Sequence, residues 1–226
     1  MRPCINASPF NKNMIIENLV ILALIAALCS ADVTAFGQFM ICRPIFCAPL
    51  FGWLMGDIAT GLWIGMIVEM VWINAIPMGA AVPIDIASIS INATFWACKY
   101  YPGIQEAAIC ALIFAVPFAY FYKEIDIGGR NWNIGLMRWV ERGVHEGKMW
   151  RINAGLYLSL FLFIVRSFTF YLIVMYLGGK VFQLIYPMMP AFVIAGFKKA
   201  WYLLPIFGFG AVLYNFKNIR IPFINR

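Results

Sequence analysis

The chain has 226 residues, of which 63% are hydrophobic and 12% charged, with a formal net charge of +7 and a mean hydropathy of +0.83. A soluble domain is roughly half apolar and about a quarter charged, and a chain of this size has too little interior to hide the excess from water. The composition excludes an ordinary soluble globule and fits the bilayer as solvent. The basic surplus does not point to nucleic acid. Between Asn18 and Cys98 lie four acids (Asp32, Asp57, Glu69, Asp85) and one base, Arg43, with all other Lys and Arg outside that region. Basic charge sorted away from the apolar part reads as loop charge that fixes topology. Six cysteines (Cys4, Cys29, Cys42, Cys47, Cys98, Cys110) show no zinc-finger or redox spacing and read as small hydrophobes.

The first apolar run, "NLVILALIAALCSADV", spans Asn18 to Val33 behind a short basic head. A signal peptide with Ala31 as its cleavage residue has the same pattern. The rest of the chain is equally apolar, so a first transmembrane segment is the simpler reading. Next come "RPIFCAPLFGWLMG" (Arg43 to Gly56), "GLWIGMIVEMVWINAIPMG" (Gly61 to Gly79) and "IDIASISINATFWAC" (Ile84 to Cys98). The first and third are shorter than the ~20 residues of a straight span, and Pro and Gly interrupt the series. Re-entrant or broken helices are expected there, since such backbone survives at membrane depth only against protein or a polar cavity. "AAICALIFAVPFAYFY" (Ala107 to Tyr122) is a fair span, bent at Pro117.

From Lys123 to Arg151 the chain turns hydrophilic, with six Lys or Arg and four acids. Ile134, Met137, Trp139, Val140 and Val144 recur at roughly helical spacing, while Arg138, Glu141 and Arg142 take the other face. An amphipathic interfacial helix in a cytoplasmic loop is expected. Then follow "LYLSLFLFIVRSFTFYLIVMYL" (Leu156 to Leu177), "VFQLIYPMMPAFVIAGF" (Val181 to Phe197) and "AWYLLPIFGFGAVLYNF" (Ala200 to Phe216). The expected fold is an all-α integral membrane protein. It is a polytopic bundle of six to eight membrane segments, including short re-entrant or broken helices and the one interfacial helix. Gly52, Gly56, Gly61 and Gly65 recur at small intervals, which either lets helices approach closely or only bends the segments.

A carboxylate near the bilayer centre costs ~2.5–3.5 kcal/mol on the insertion scale, so each one needs a reason. Asp57, in the turn "GDIAT", and Asp32, at the end of the first run, are most simply caps or turn residues. Glu69 is central in its segment, with no Lys or Arg within twenty residues on either side. It should face a polar cavity or a ligand. Asp85 follows the Gly-Pro break "GAAVPID", which exposes backbone dipoles. Gln38 and Asn74 are neutral polar groups on the same segments, and Trp72 shares the helical face of Glu69. Acids and amides beside an aromatic face suit a polar solute such as a sugar. Arg166 lies mid-span and must have an acidic or carbonyl partner, read as a structural pair inside the bundle. His145, in the hydrophilic stretch, has no ligand-spaced partner. No nucleophile elbow, phosphate loop or metal signature is present, so no catalytic or metal-binding residue is assigned and no cofactor is implied.

The stretch from Phe36 to Asp85 resembles the opening half of the IIC subunits of mannose/fructose/sorbose-type sugar phosphotransferase systems (PTS). The resemblance rests on Gln38, Phe39, Arg43, Pro44, Gly56, Asp57, Thr60, Gly61, Glu69, Met70, Gly79, Ala80, Ala81, Pro83 and Asp85. "PAFVIAGFKKAWYLLPIFGFGAVL", from Pro190, is similar to the family's distal Pro- and Gly-rich segment. The resemblance implies one membrane-embedded domain over residues 1–226, with 1–13 as an extension and a C-terminus that is short for the family. It implies a permease subunit of the bacterial inner membrane. A IID membrane subunit, soluble IIA and IIB phosphocarriers and further copies of itself would be its partners. Sugar, a hexose, hexosamine or sorbose, would be carried inward and phosphorylated by IIB, leaving this chain no catalysis of its own. Gln38, Glu69 and Asp85 would be sugar contacts beside Asn74 and Trp72, with Asp57, Arg43 and Arg166 as structural or interface residues. Two alternatives stand beside this: a non-transporting or decayed membrane subunit or receptor, and a membrane-embedded enzyme.

Overall fold

The computed structural model describes residues 15–34, 37, 39–74 and 83–217. Its elements, in chain order, are α1 (Ile15–Thr34), α2 (Pro44–Met55), α3 (Ile58–Val71), α4 (Ile86–Tyr100), α5 (Gln105–His145), α6 (Trp150–Ile173), α7 (Gly179–Ile185) and α8 (Ala191–Lys217). A π-turn at Val174–Gly178 joins α6 to α7, and a 3₁₀ turn at Tyr186–Met188 follows α7. All regular structure among the described residues is helical, as the composition required.

Local chemistry sets the ends of α2 and α3. Pro44 opens α2, where its missing N–H costs nothing. Gly56 closes it in the left-handed conformation at φ 85°, donating its N–H to Trp53 O at 3.1 Å. Asp57 then caps α3. Its carboxylate accepts from Thr60 N at 3.1 Å and Thr60 Oγ1 at 2.7 Å, and from Gly103 N at 3.2 Å. The cap expected from "GDIAT" is therefore what the structure holds.

The two helices form a tight hairpin because glycines and Ala48 line their contact. A Cβ on Gly61 would lie 2.5 Å from Ala48 O, and one on Gly65 would lie 2.5 Å from Pro44 O. Close approach, the use that membrane helix pairs make of small residues, is the role of Gly61 and Gly65. Gly65→Ala must push backbone from backbone, so it should destabilise by about 1–3 kcal/mol, the usual cost of overpacking. A lowered thermal midpoint in detergent is the expected readout. A wild-type midpoint would show that the hairpin has slack.

Helix α4 lies at the centre. Every residue from Ile86 to Cys98 is buried, and the helix packs against α2, α3 and α5. Trp96 is enclosed by Phe114, Phe118 and Phe182. At 15 residues α4 is too short to cross alone, as expected for this segment, and protein surrounds it on all sides. α1 packs on α6, and α8 packs on α3 and α5, with Trp63 and Trp201 stacked at 3.7 Å between ring centres.

Among the described residues, three stretches are long and apolar enough to cross a membrane: Gln105–His145, Trp150–Met188 and Ala191–Asn215. Leu19–Asp32, Pro44–Met55 and Ile58–Val71 are shorter apolar helices.

Two expected boundaries are corrected. The hydrophilic stretch after Lys123 is helical but is no separate loop helix: α5 continues through it for 41 residues in all. At 1.5 Å per residue α5 is roughly 60 Å long, about twice the hydrocarbon layer. With α6 it makes a long antiparallel arm turning at residues 146–149. The expected break between Phe197 and Ala200 is also absent. The chain breaks instead at Met189 and Pro190, and α8 runs on through Pro205.

Candidate solute site

The site is built where three segments meet: the end of α1, the start of α2 and the last turn of α3. Arg43 is the N-cap residue of α2. Its side chain reaches Glu69 on α3, with Nη1 3.3 Å from Oε1, and each side chain is about one-fifth exposed at 20% and 19%. The base that Glu69 lacks in its sequence neighbourhood thus comes from another helix. The pair is an ion contact without hydrogen-bond geometry. Among the described residues, Arg43 Nη1 and Glu69 Oε2 are buried atoms with no hydrogen-bond partner. Across the ion contact, a donor and an acceptor are left without hydrogen bonds, in a setting where unsatisfied polar atoms are costly. A polyhydroxyl ligand, offering both donors and acceptors, meets that need.

The other expected solute residues fall as follows. Trp72 ends α3 one turn beyond Glu69 and is partly buried against the core. Asn74 lies in the turn that follows and is exposed. Gln38 lies outside the described residues. Asp85 caps α4, with Oδ1 accepting from Ala87 N at 3.1 Å, while Oδ2 is buried without a hydrogen-bond partner among the described residues. Asp57 sits at the opposite end of α3 from Glu69 and works as a cap.

Asp32 is more deeply engaged than a simple cap. It is 6% exposed and accepts from Phe39 N at 2.7 Å, Ile41 N at 2.8 Å and Cys42 N at 3.4 Å. Residues 39–42, ahead of α2, are wrapped on its carboxylate.

Arg166 finds the acidic partner it required, and the partner is Asp126 of α5, at 2.6 Å. Arg130 holds the other carboxylate oxygen at 2.9 Å. The Arg166 guanidinium lies over Gly129, where any Cβ would collide with it. A groove of about 220 Å³ opens beside it, lined by Gly128, Gly129, Trp132, Asn133, Leu162, Phe163 and Arg166.

Sequence reasoning missed Asp126, because it stood among charges assigned to a loop. It also missed a line of interior hydroxyls: Ser30 with Tyr171 at 2.6 Å and Tyr122 with Ser167 at 2.7 Å. Their only signal was polarity inside apolar runs, which many helices show without function.

The chain matches the family model EII-Sor, described as PTS system sorbose-specific IIC component, over residues 16–223. It is similar to the PTS system mannose-specific EIIC component of Escherichia coli (strain K12), with 24% identity over 221 residues, covering 89% of this chain and 82% of that one. The Shigella flexneri protein of the same name matches equally. The Putative N-acetylgalactosamine permease IIC component 2 of Escherichia coli (strain K12) is 32% identical over 77 residues, covering 34% of this chain and 55% of that one. Among solved structures, one titled "Structure of membrane protein" superposes with a TM-score of 0.69 at 24% identity, covering 91% of this chain and 80% of the other. The cryo-EM structure of the mannose transporter ManYZ with microcin E492 superposes with a TM-score of 0.63, also at 24% identity, covering 94% of this chain and 84% of the other. These two likenesses concern the fold alone. With the family model covering nearly the whole helical membrane chain, the protein belongs to the sorbose-specific IIC family (EII-Sor) and is a IIC membrane permease component of a mannose-type sugar phosphotransferase system, a transport subunit and not an enzyme.

Proposed function

We propose that this subunit carries a sugar inward across the bacterial inner membrane and presents it to a IIB partner for phosphorylation. The observation that carries the reading is the Arg43–Glu69 pair, joined across two helices with a buried donor and acceptor unspent. Sugar hydroxyls would take up Arg43 Nη1 and Glu69 Oε2, and Trp72 would offer its ring to an apolar sugar face. Asp85, Asn74 and Gln38 complete the proposed contacts. The sugar class is a hexose, hexosamine or sorbose, in keeping with the names of the family and its relatives. The chain's own residues bind and move the sugar, and the phosphoryl group comes from elsewhere.

The partners in this reading are a IID membrane subunit, IIA and IIB phosphocarriers and further copies of this chain. The broad apolar exposure of α6 and α8, including Phe161, Phe192 and Phe207, leaves ample face for another membrane subunit besides lipid. The test is uptake of mannose, N-acetylgalactosamine and sorbose into vesicles, with the chain expressed alone or with a IID subunit, and with or without phosphocarriers. Phosphorylated sugar should accumulate only with the membrane partner and phosphocarriers together, and the lone chain should give lower yield and a broader size distribution in detergent. Accumulation of free sugar by the lone chain would overturn the phosphotransferase reading.

A further inference from the structure

The segment between α1 and α2 has an unusual construction. Three amides, of Phe39, Ile41 and Cys42, converge on the Asp32 carboxylate at 2.7, 2.8 and 3.4 Å. Met40, in their midst, has φ 64°, a left-handed conformation that a side chain adopts only under compulsion. Amides alternating through such a bend form a concavity that binds anions, and here the chain fills it with its own buried carboxylate. The next residue is Arg43. Its N–H closes the turn on Met40 O at 3.0 Å, and its own carbonyl opens α2. Its side chain is the one that reaches Glu69.

We propose that Asp32 is a positioning residue for the solute site: by holding the 39–42 bend in its strained form, it aims Arg43 at Glu69. The inference rests on the reading of the Arg43–Glu69 pair as a sugar-binding element. Asp32 itself touches no sugar in this account. Without the carboxylate, Met40 relaxes toward negative φ, the amides turn away, and the Arg43 backbone rotates with them. The pair then loses its register, and sugar affinity falls while the rest of the transport cycle is intact. Asparagine at position 32 keeps the shape but offers one acceptor oxygen in place of two charged ones and presents an N–H₂ to backbone donors.

The test uses the chain co-expressed with its membrane partner and whichever of mannose, N-acetylgalactosamine or sorbose the wild-type complex takes up. Asp32→Asn should lower apparent affinity by about tenfold, with maximal uptake per inserted molecule changed by less than about twofold. Adding Met40→Gly, which removes the steric cost of the left-handed bend, should restore about threefold or more of that loss. Glu69→Gln runs beside them. If Glu69→Gln keeps wild-type affinity, the site reading falls and this inference with it. If Glu69→Gln loses affinity but Asp32→Asn loses only expression or thermal stability, Asp32 is a structural cap and the inference alone is wrong. A deficit in Asp32→Asn that Met40→Gly leaves untouched would also overturn the loop mechanism.

Discussion

Glu69→Gln should lower sugar affinity by about tenfold or more while the protein still inserts. A hydrogen bond to a charged group is worth about 1.5–3 kcal/mol, and 1.4 kcal/mol is a factor of ten in binding. The structure adds a second consequence: Gln leaves the Arg43 guanidinium, about one-fifth exposed, with no counter-charge. Removing one member of a buried pair costs about 3–5 kcal/mol at full burial, and partial exposure places this case below that range. Affinity and stability therefore have to be read apart. Arg43→Gln in the same chain removes the orphaned charge, so the double variant should regain thermal stability while its sugar affinity stays low. The concentration dependence of uptake and the thermal midpoint in detergent measure the two. Wild-type uptake kinetics in Glu69→Gln would remove Glu69 from the site.

Arg166→Leu should destabilise the α5–α6 arm by about 1–3 kcal/mol, at or below the low end for a broken buried pair, since side-chain exposures of 21% and 14% soften the loss. The low end applies because Asp126 keeps Arg130 at 2.9 Å. Asp126 is 14% exposed on its side chain, and in the variant its Oδ1 loses its partner at 2.6 Å. Changing both residues to Leu removes the stranded charge and lets two apolar side chains pack in its place, so most of the loss should return. Thermal unfolding of the wild type, both single variants and the double variant gives the coupling directly. Losses in the two single variants that simply add in the double variant would mean that the pair does not hold the arm together.

Several features were legible in the residues because their causes are local. Pro44 and Gly56 bound α2 by the conformations they allow, and Asp57 caps α3 through a hydroxyl and an amide three residues on. Gly61 and Gly65 share one helix face, which left close approach and bending both open until the folded pair chose the first. The all-helical membrane class followed from composition alone, since a bilayer leaves backbone polar groups few other solutions. The isolation of Arg166 among apolar neighbours announced that it needed a partner, and that of Glu69 pointed to a polar cavity or a ligand.

The sequence by itself thus determined the membrane class, the α2–α3 punctuation and the demand of Arg166 for a partner. Tertiary structure decided who the partners are. Glu69 meets Arg43 from another helix, and Arg166 meets Asp126 from a position 40 residues away. No periodicity encodes either pairing, because charge attraction depends on separation in space and not along the chain. Tertiary packing also decided that the charged stretch after Lys123 continues α5. Its own pattern was equally that of a separate surface helix, and α6 packed alongside settles the matter. Likewise Pro117 and Pro205 lie inside helices because neighbouring helices and local adjustment can absorb the freed carbonyl. The wrapping of residues 39–42 on Asp32 was beyond sequence reading for the same reason: a carboxylate that ends one helix can cap it or reach forward, and only the folded position of the next helix selects between them.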